Sequence, residues 1–199
     1  MRKSVFLPAL LGCLLLISQD PALAISIDIL PQAQDATVGA SVNVDIAISG
    51  LGDMLGPSIS TYDMDIVFDS SILSFTNMVL GDQLDVFGFG SVSAVDSSVT
   101  GVVNLYELSL DLPSDLNAFQ LPAFILATFS FDTVGIGMSA LSLTVNALGD
   151  ANGDPLMASV QGASIKVKSQ PTTVPEPATL SLFILGLLGL LRFKTMIQN

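Results

Sequence analysis

Asp150-Ala151-Asn152-Gly153-Asp154 sets three oxygen-bearing side chains at alternate positions. This D-x-N-x-D spacing lets carboxylate and amide oxygens converge on a calcium ion, so Asp150, Asn152 and Asp154 are candidate Ca2+ ligands. Two neighbours depart from the pattern of an EF-hand loop. Pro155 stands where a glycine makes the sharp turn, and Gln161 stands where a bidentate glutamate would close the shell. Asn-Gly and Asp-Pro are also ordinary hairpin-turn residues, so two readings remain open here, a cation site and a plain turn. Asp63, Asp65 and Asp69 form a second acidic group. Asp63 and Asp65 lie two apart in an alternating segment and share its outer face, which reads as a solvated surface.

Other chemistry is limited by what the chain lacks. The sequence opens MRKSVFLPALLGCLLLISQDPALA, with Arg2 and Lys3 ahead of an apolar run and the small residues Ala22 and Ala24 at its end. Those three parts make a secretory signal peptide over residues 1–24, cut by signal peptidase after Ala24. A competing reading takes Leu10-Leu11-Gly12-Cys13 as a lipoprotein box, but the apolar run continues past the cysteine to Ile17. Cleavage removes Cys13, the single cysteine, and the chain has no histidine and no tryptophan. Ser-His-Asp and Cys-His nucleophile systems and His-ligated zinc are thereby excluded.

A two-carboxylate glycosidase is a weaker reading. Sixteen acids permit many pairs at the roughly 5–9.5 Å such enzymes need, while the body lacks the tryptophan, arginine and histidine that hold and orient a sugar. No catalytic residue is assigned, and a non-enzyme is expected. The six basic residues are Arg2, Lys3, Lys166, Lys168, Arg192 and Lys194, and fifteen Asp with Glu107 occupy residues 25–165 without one basic partner. Nothing there could neutralise phosphates, so nucleic acid is not a partner. Such a charge balance suits an extracellular setting in which salt or divalent ions screen the carboxylates.

The elements that must position these residues are strands. Val42, Val44, Ile46 and Ile48 alternate with polar or small residues, as do Tyr62, Met64, Ile66 and Phe68, and Leu141, Leu143 and Val145. Period-2 alternation predicts antiparallel sheets with one dry and one wet face. Further strands are predicted at 25–30, 72–79, 90–95, 99–109, 121–134 and 157–167, with turn residues between them and a helical period nowhere, a turn near 82–86 apart. About nine strands give an all-β, two-sheet antiparallel β-sandwich over residues 25–168. Tyr62 falls in its core, and Tyr106 either packs inward or presents its ring.

After Val167 the composition changes. Residues 169–174 read as a polar, proline-containing linker. Val174-Pro175-Glu176-Pro177 follows, then an apolar run from Ala178 to Leu191, then Arg192 and Lys194. A helix over 178–191 would be roughly 21 Å long, short of the roughly 30 Å hydrocarbon core. With basic residues at its inner end it is a marginal transmembrane helix.

The proline-flanked triplet, the apolar run and the basic end over residues 175–194 resemble the PEP-CTERM sorting signal. That resemblance implies a Gram-negative exported protein, made alongside exopolysaccharide. It also implies recognition by an exosortase, a membrane-embedded cysteine protease or transpeptidase that cuts near the triplet. Val174, Pro175, Glu176, Pro177, Arg192 and Lys194 are the residues that would carry recognition.

The segments VGASVNVDIAISGLGD, YDMDIVFDSSILSFTNMVLGDQL, ATFSFDTVGIGMSALSLTV and LGDANGDPLMASVQGASIKV resemble a cohesin-type domain with a jelly-roll sandwich akin to carbohydrate-binding modules. The expectation is a surface or matrix protein, held in the membrane as a precursor and then delivered to the envelope or exopolysaccharide layer. The alternative is a permanently anchored carbohydrate- or protein-binding module, with or without calcium.

Overall fold

A computed structural model describes residues 24–170 together with helical residues at 182–183 and 185–186. The predicted signal-peptide helix with Ala22, the linker beyond Gln170 and the sorting residues Val174, Pro175, Glu176, Pro177, Arg192 and Lys194 lie outside the described residues. So does the helix predicted at 178–191, apart from those four positions. Among the described residues no helix is long and apolar enough to cross a membrane.

Eleven strands and one helix make up the described domain. They are β1 (Ser26–Leu30), β2 (Ala33–Thr37), β3 (Ser41–Ser49), β4 (Ile59–Val67), β5 (Leu73–Leu80) and β6 (Ser91–Asp96), then β7 (Val102–Ser109), α1 (Pro113–Phe119), β8 (Ala123–Thr133), β9 (Gly137–Asp150), β10 (Ser159–Gln161) and β11 (Ala163–Lys168). They form a five-stranded sheet in the order β10-β1-β3-β8-β5 and a six-stranded sheet in the order β2-β11-β9-β4-β7-β6. The alternation read from the sequence is the alternation of burial. Val42, Val44, Ile46 and Ile48 of β3 are buried, and so are Tyr62, Met64 and Ile66 of β4. The two inner faces meet in one apolar cluster, where the Phe131 ring packs edge-on against Phe68 at 5.0 Å and Phe75 at 6.0 Å. Each such side chain contributes roughly 1.5–3 kcal/mol of burial, which makes a core that needs no cross-link.

Four readings need correction. The sheets are mixed, not antiparallel, because β10 runs parallel to β1 and β11 parallel to β2. Periodicity reports which face a residue occupies and says nothing of a neighbour's direction. The first and last strands run side by side, and both cross from one sheet to the other, at Pro31-Gln32 and at Gly162. The single strand expected at 157–167 is therefore two. β2 (AQDAT) escaped prediction because it carries no apolar alternation; Gln34, Ala36 and Thr37 are its less exposed residues. The helix α1 was missed as well, since seven residues with Leu116 alone buried show no 3.6-residue period.

Gly162 is needed at the crossing. A Cβ there would lie 2.4 Å from the Leu141 carbonyl oxygen, closer than any tolerated contact. Gly162→Ala is predicted to destabilise the domain by on the order of 2 kcal/mol, read as a lower urea or thermal midpoint. An unchanged midpoint would mean that the crossing has slack.

Candidate functional site

Strand β4 has a dry side and a wet side, and the wet side holds a polar cluster. Asp63 and Asp65 stand two residues apart on it, between Asn104 of β7 and Asn146 of β9. Asn104 Nδ2 donates to Asp63 Oδ1 at 2.7 Å and to Asp65 Oδ1 at 2.8 Å. Asn146 Nδ2 donates to Asp63 Oδ1 at 3.2 Å and to Asp65 Oδ2 at 3.1 Å. Two neutral amides thus clasp two carboxylates. Asn146 reaches them because it is the extra residue of a bulge, with Ala147 opposite Asp63 and Val145 opposite Met64; bulges re-aim side chains in this way. Tyr106 lies directly across from Asp63 on the same face and is half-buried, so its ring is presented outward. Val67 and Val92 flank the cluster on that face and are exposed.

Beneath the clasp the same strands bury the body's single glutamate. Glu107 Oε2 accepts from Tyr62 Oη at 2.6 Å, and its Oε1 accepts from Ser91 Oγ at 2.6 Å. Both donors are neutral, and Ser91 sits on the edge strand β6, so the carboxylate ties that edge to the core. Burial first, and then the Glu107 charge, push the Tyr62 phenol far above its ordinary value. Sequence reasoning missed Glu107, Asn104 and Asn146. A signal existed for Glu107, which falls in phase with Val103 and Leu105 and so points inward opposite Tyr62.

The other predicted residues fall elsewhere. Asp69 does not join Asp63 and Asp65. It lies in the turn after β4, where the Ser71 hydroxyl (2.6 Å) and N–H (2.9 Å) both donate to its Oδ1 and hold its carboxyl below the usual range. Asp150, Asn152 and Asp154 lie together at the turn after β9. Asp150 is the last residue of β9, and its Oδ1 accepts the N–H groups of Asn152 and Asp154 in the turn, both at 2.8 Å, while Gly153 takes a left-handed φ of 89°. This is a turn closed by its own first carboxylate. Among the described residues no three His, Cys, Asp or Glu side chains are grouped to hold a metal. Ala24, the last residue of the predicted cleavage site, is exposed.

The fold is a β-sandwich of the cohesin kind, and solved structures similar to it include cohesin domains. A type II cohesin domain from the cellulosome of Acetivibrio cellulolyticus is 21% identical with a TM-score of 0.60, covering 71% of this chain and 95% of its own. The sixth cohesin of scaffoldin B from the same organism, solved in complex with a dockerin, is 17% identical with a TM-score of 0.59, covering 73% and 99%. A non-cellulosomal cohesin from the archaeon Archaeoglobus fulgidus is 13% identical with a TM-score of 0.55, covering 74% and 94%. At these identities the likeness is one of fold. Residues 173–194 match the family model described as the PEP-CTERM protein-sorting motif. This motif implies an exported protein whose membrane-anchored precursor is processed by an exosortase. No curated protein matches the chain in sequence.

The buried Tyr62–Glu107 pair yields a test. Tyr62→Phe leaves a buried carboxylate oxygen without its donor and is predicted to destabilise the domain by roughly 1–3 kcal/mol. The phenol is held neutral in the folded state, so its contribution is whole below about pH 10 and is lost as pH rises above it. Denaturation midpoints across alkaline pH should fall for the native chain and fall less steeply for Tyr62→Phe. Parallel curves would show that the pair does not govern alkaline stability.

Proposed function

We propose that this chain is a non-enzymatic surface or matrix protein of a Gram-negative bacterium: a cohesin-like, protein-binding sandwich that an exosortase delivers to the cell surface or exopolysaccharide layer. The observation that carries the reading is the sorting motif at residues 173–194, which follows a sandwich that ends at Lys168. Export begins with cleavage after Ala24, following Ala22. Pro175 and Pro177, with Glu176 between them and Val174 before them, are residues that disfavour helix at the cut site. Arg192 and Lys194 hold the far end at the inner face of the membrane. Replacement of Pro175-Glu176-Pro177 by three alanines should leave uncut precursor in the membrane fraction. Normal release of that variant would remove exosortase from the account.

What is delivered is a binding surface. The face around Asp63, Asp65 and Tyr106 combines an outward ring, exposed valines and two carboxylates with no cation of their own, which suits a protein partner bearing lysine or arginine. Asp65→Lys with Tyr106→Arg should leave export intact and shed the protein from the washed cell surface or matrix into the medium. Equal retention of variant and native protein would mean that this face holds no partner. Calcium at Asp150, Asn152 and Asp154 is the finer part of the reading, supported by their spacing and by the exposure of Asn152 and Asp154. It predicts a higher melting temperature in extracellular calcium, and an unchanged one would remove it.

A further inference from the structure

The pole of the sandwich farthest from Lys168 is apolar. Ile59 of β4 lies opposite Asp150 and Val67 opposite Ser142, whereas β11 ends with Val167 beside Gly137. The fourteen residues of β9 therefore separate the two poles by roughly 40 Å, and the chain leaves the sandwich at the Gly137 pole. Three segments converge at the other pole, 51–58, 81–90 and 110–122. Ser58 Oγ donates to Asn117 Oδ1 at 2.8 Å, the Leu110 N–H to the Gly90 carbonyl at 3.0 Å and the Leu121 N–H to Gln83 Oε1 at 3.0 Å. The rings of Phe87 and Phe119 meet edge-to-face at 4.9 Å.

Met54, Leu55, Phe87, Phe89, Leu112 and Phe119 of these segments are each more than half exposed. Phe89 is displayed between two glycines in left-handed conformation, Gly88 at φ 80° and Gly90 at φ 89°, which the sequence spells as Phe-Gly-Phe-Gly. A second observation lies beneath the Phe87 loop. Asp111 is only 8% exposed; its Oδ2 accepts the Phe87 N–H at 3.2 Å, while its buried Oδ1 has no hydrogen-bond partner. An unmet carboxylate oxygen in such a setting costs free energy that a partner's cation would recover. Asp82, Asp85 and Asp115 belong to the same segments.

These features select an occupant. The chain leaves the sandwich toward its sorting motif from the other pole, beside Gly137. A neutral polysaccharide would lose water from its hydroxyls against phenylalanine rings that offer no hydrogen bond, and would leave the carboxylates without a cation. A second copy would bring the same carboxylates, and the lysines of its sandwich, Lys166 and Lys168, lie at its other pole beside Met138 and Gly137. We propose that this pole docks an amphipathic basic helix of another exported protein, with its apolar face on the phenylalanines and a lysine or arginine reaching Asp111. The mode is helix-on-apolar-surface recognition with a charged rim. It adds a second surface to the sheet face described above and does not depend on that face.

The test measures binding of a labelled helical peptide of about eighteen residues, leucine and lysine at helical spacing, by fluorescence anisotropy. The protein is the exported form recovered from producing cells. A scrambled peptide of the same composition reports charge attraction alone. The native protein should prefer the amphipathic peptide by roughly tenfold. Phe87→Ser with Phe89→Ser should abolish the preference, Asp111→Asn should weaken it by roughly threefold or more, and Ile136→Ser, exposed at the other pole, should leave it intact. Circular dichroism checks the fold; should Asp111→Asn unfold, the exposed-residue pair decides alone. Equal binding of both peptides, or unchanged preference in the Phe87/Phe89 variant, overturns the proposal. So does self-association or binding to neutral vesicles that the same variant abolishes.

Discussion

Sixteen carboxylates between residues 25 and 165 must be accommodated without one cation among those residues. The structure answers with neutral donors. Asp63 and Asp65 take amides, Glu107 a phenol and a serine, Asp45 the Thr128 hydroxyl at 2.6 Å, and Asp150 the backbone of its own turn. The ion pair of the described residues, Lys168 with Asp35 at 2.6 Å, joins β11 to β2 at the exposed edge, where such a pair contributes little. Neutral donors satisfy geometry and leave charge uncancelled. The folded domain therefore keeps a strongly negative surface, and that surplus, more than any single pocket, decides what can approach it.

The topology distributes this surface. Because the first and last strands lie parallel and each crosses between the sheets, the domain closes on itself at one edge, and the chain departs from the pole next to Gly137. The six-stranded sheet then presents its clasped, tyrosine-bearing face sideways, and the phenylalanine loops occupy the far end. A bulge at Asn146 and two left-handed glycines beside Phe89 are small local departures from regular structure, and each positions a side chain that the wet face or the far pole uses. Stability and display are handled by different residues. Tyr62, Phe129 and Phe131 are buried in the core, while Tyr106, Phe87 and Phe89 are outward.

Much of the architecture was legible because β-branched and aromatic residues alternate cleanly in β3, β4 and β9, and turn residues separate them. The inward Tyr62 and the shared face of Asp63 and Asp65 followed from period alone. Strand direction did not, since alternation is the same in parallel and antiparallel neighbours. β2 and α1 were illegible because neither buries an apolar row. The clasp is non-local: Asn104 and Asn146 lie about forty and eighty residues beyond the aspartates they hold, and an asparagine on an outer face carries no signal of its own. The tail was the reverse case. Its triplet, apolar run and basic end form one local pattern, and the family match at residues 173–194 rests on that same stretch.

Delivery is the claim on which the functional account stands, since a sandwich of this charge acts on its surroundings only if it reaches them. Intact mass of the protein from the membrane and extracellular fractions tests it most directly. The account predicts an extracellular species that starts at Ile25 and ends near Pro175–Pro177. A species still ending at Asn199 and confined to the membrane would contradict it, and would make the sandwich a permanently anchored domain.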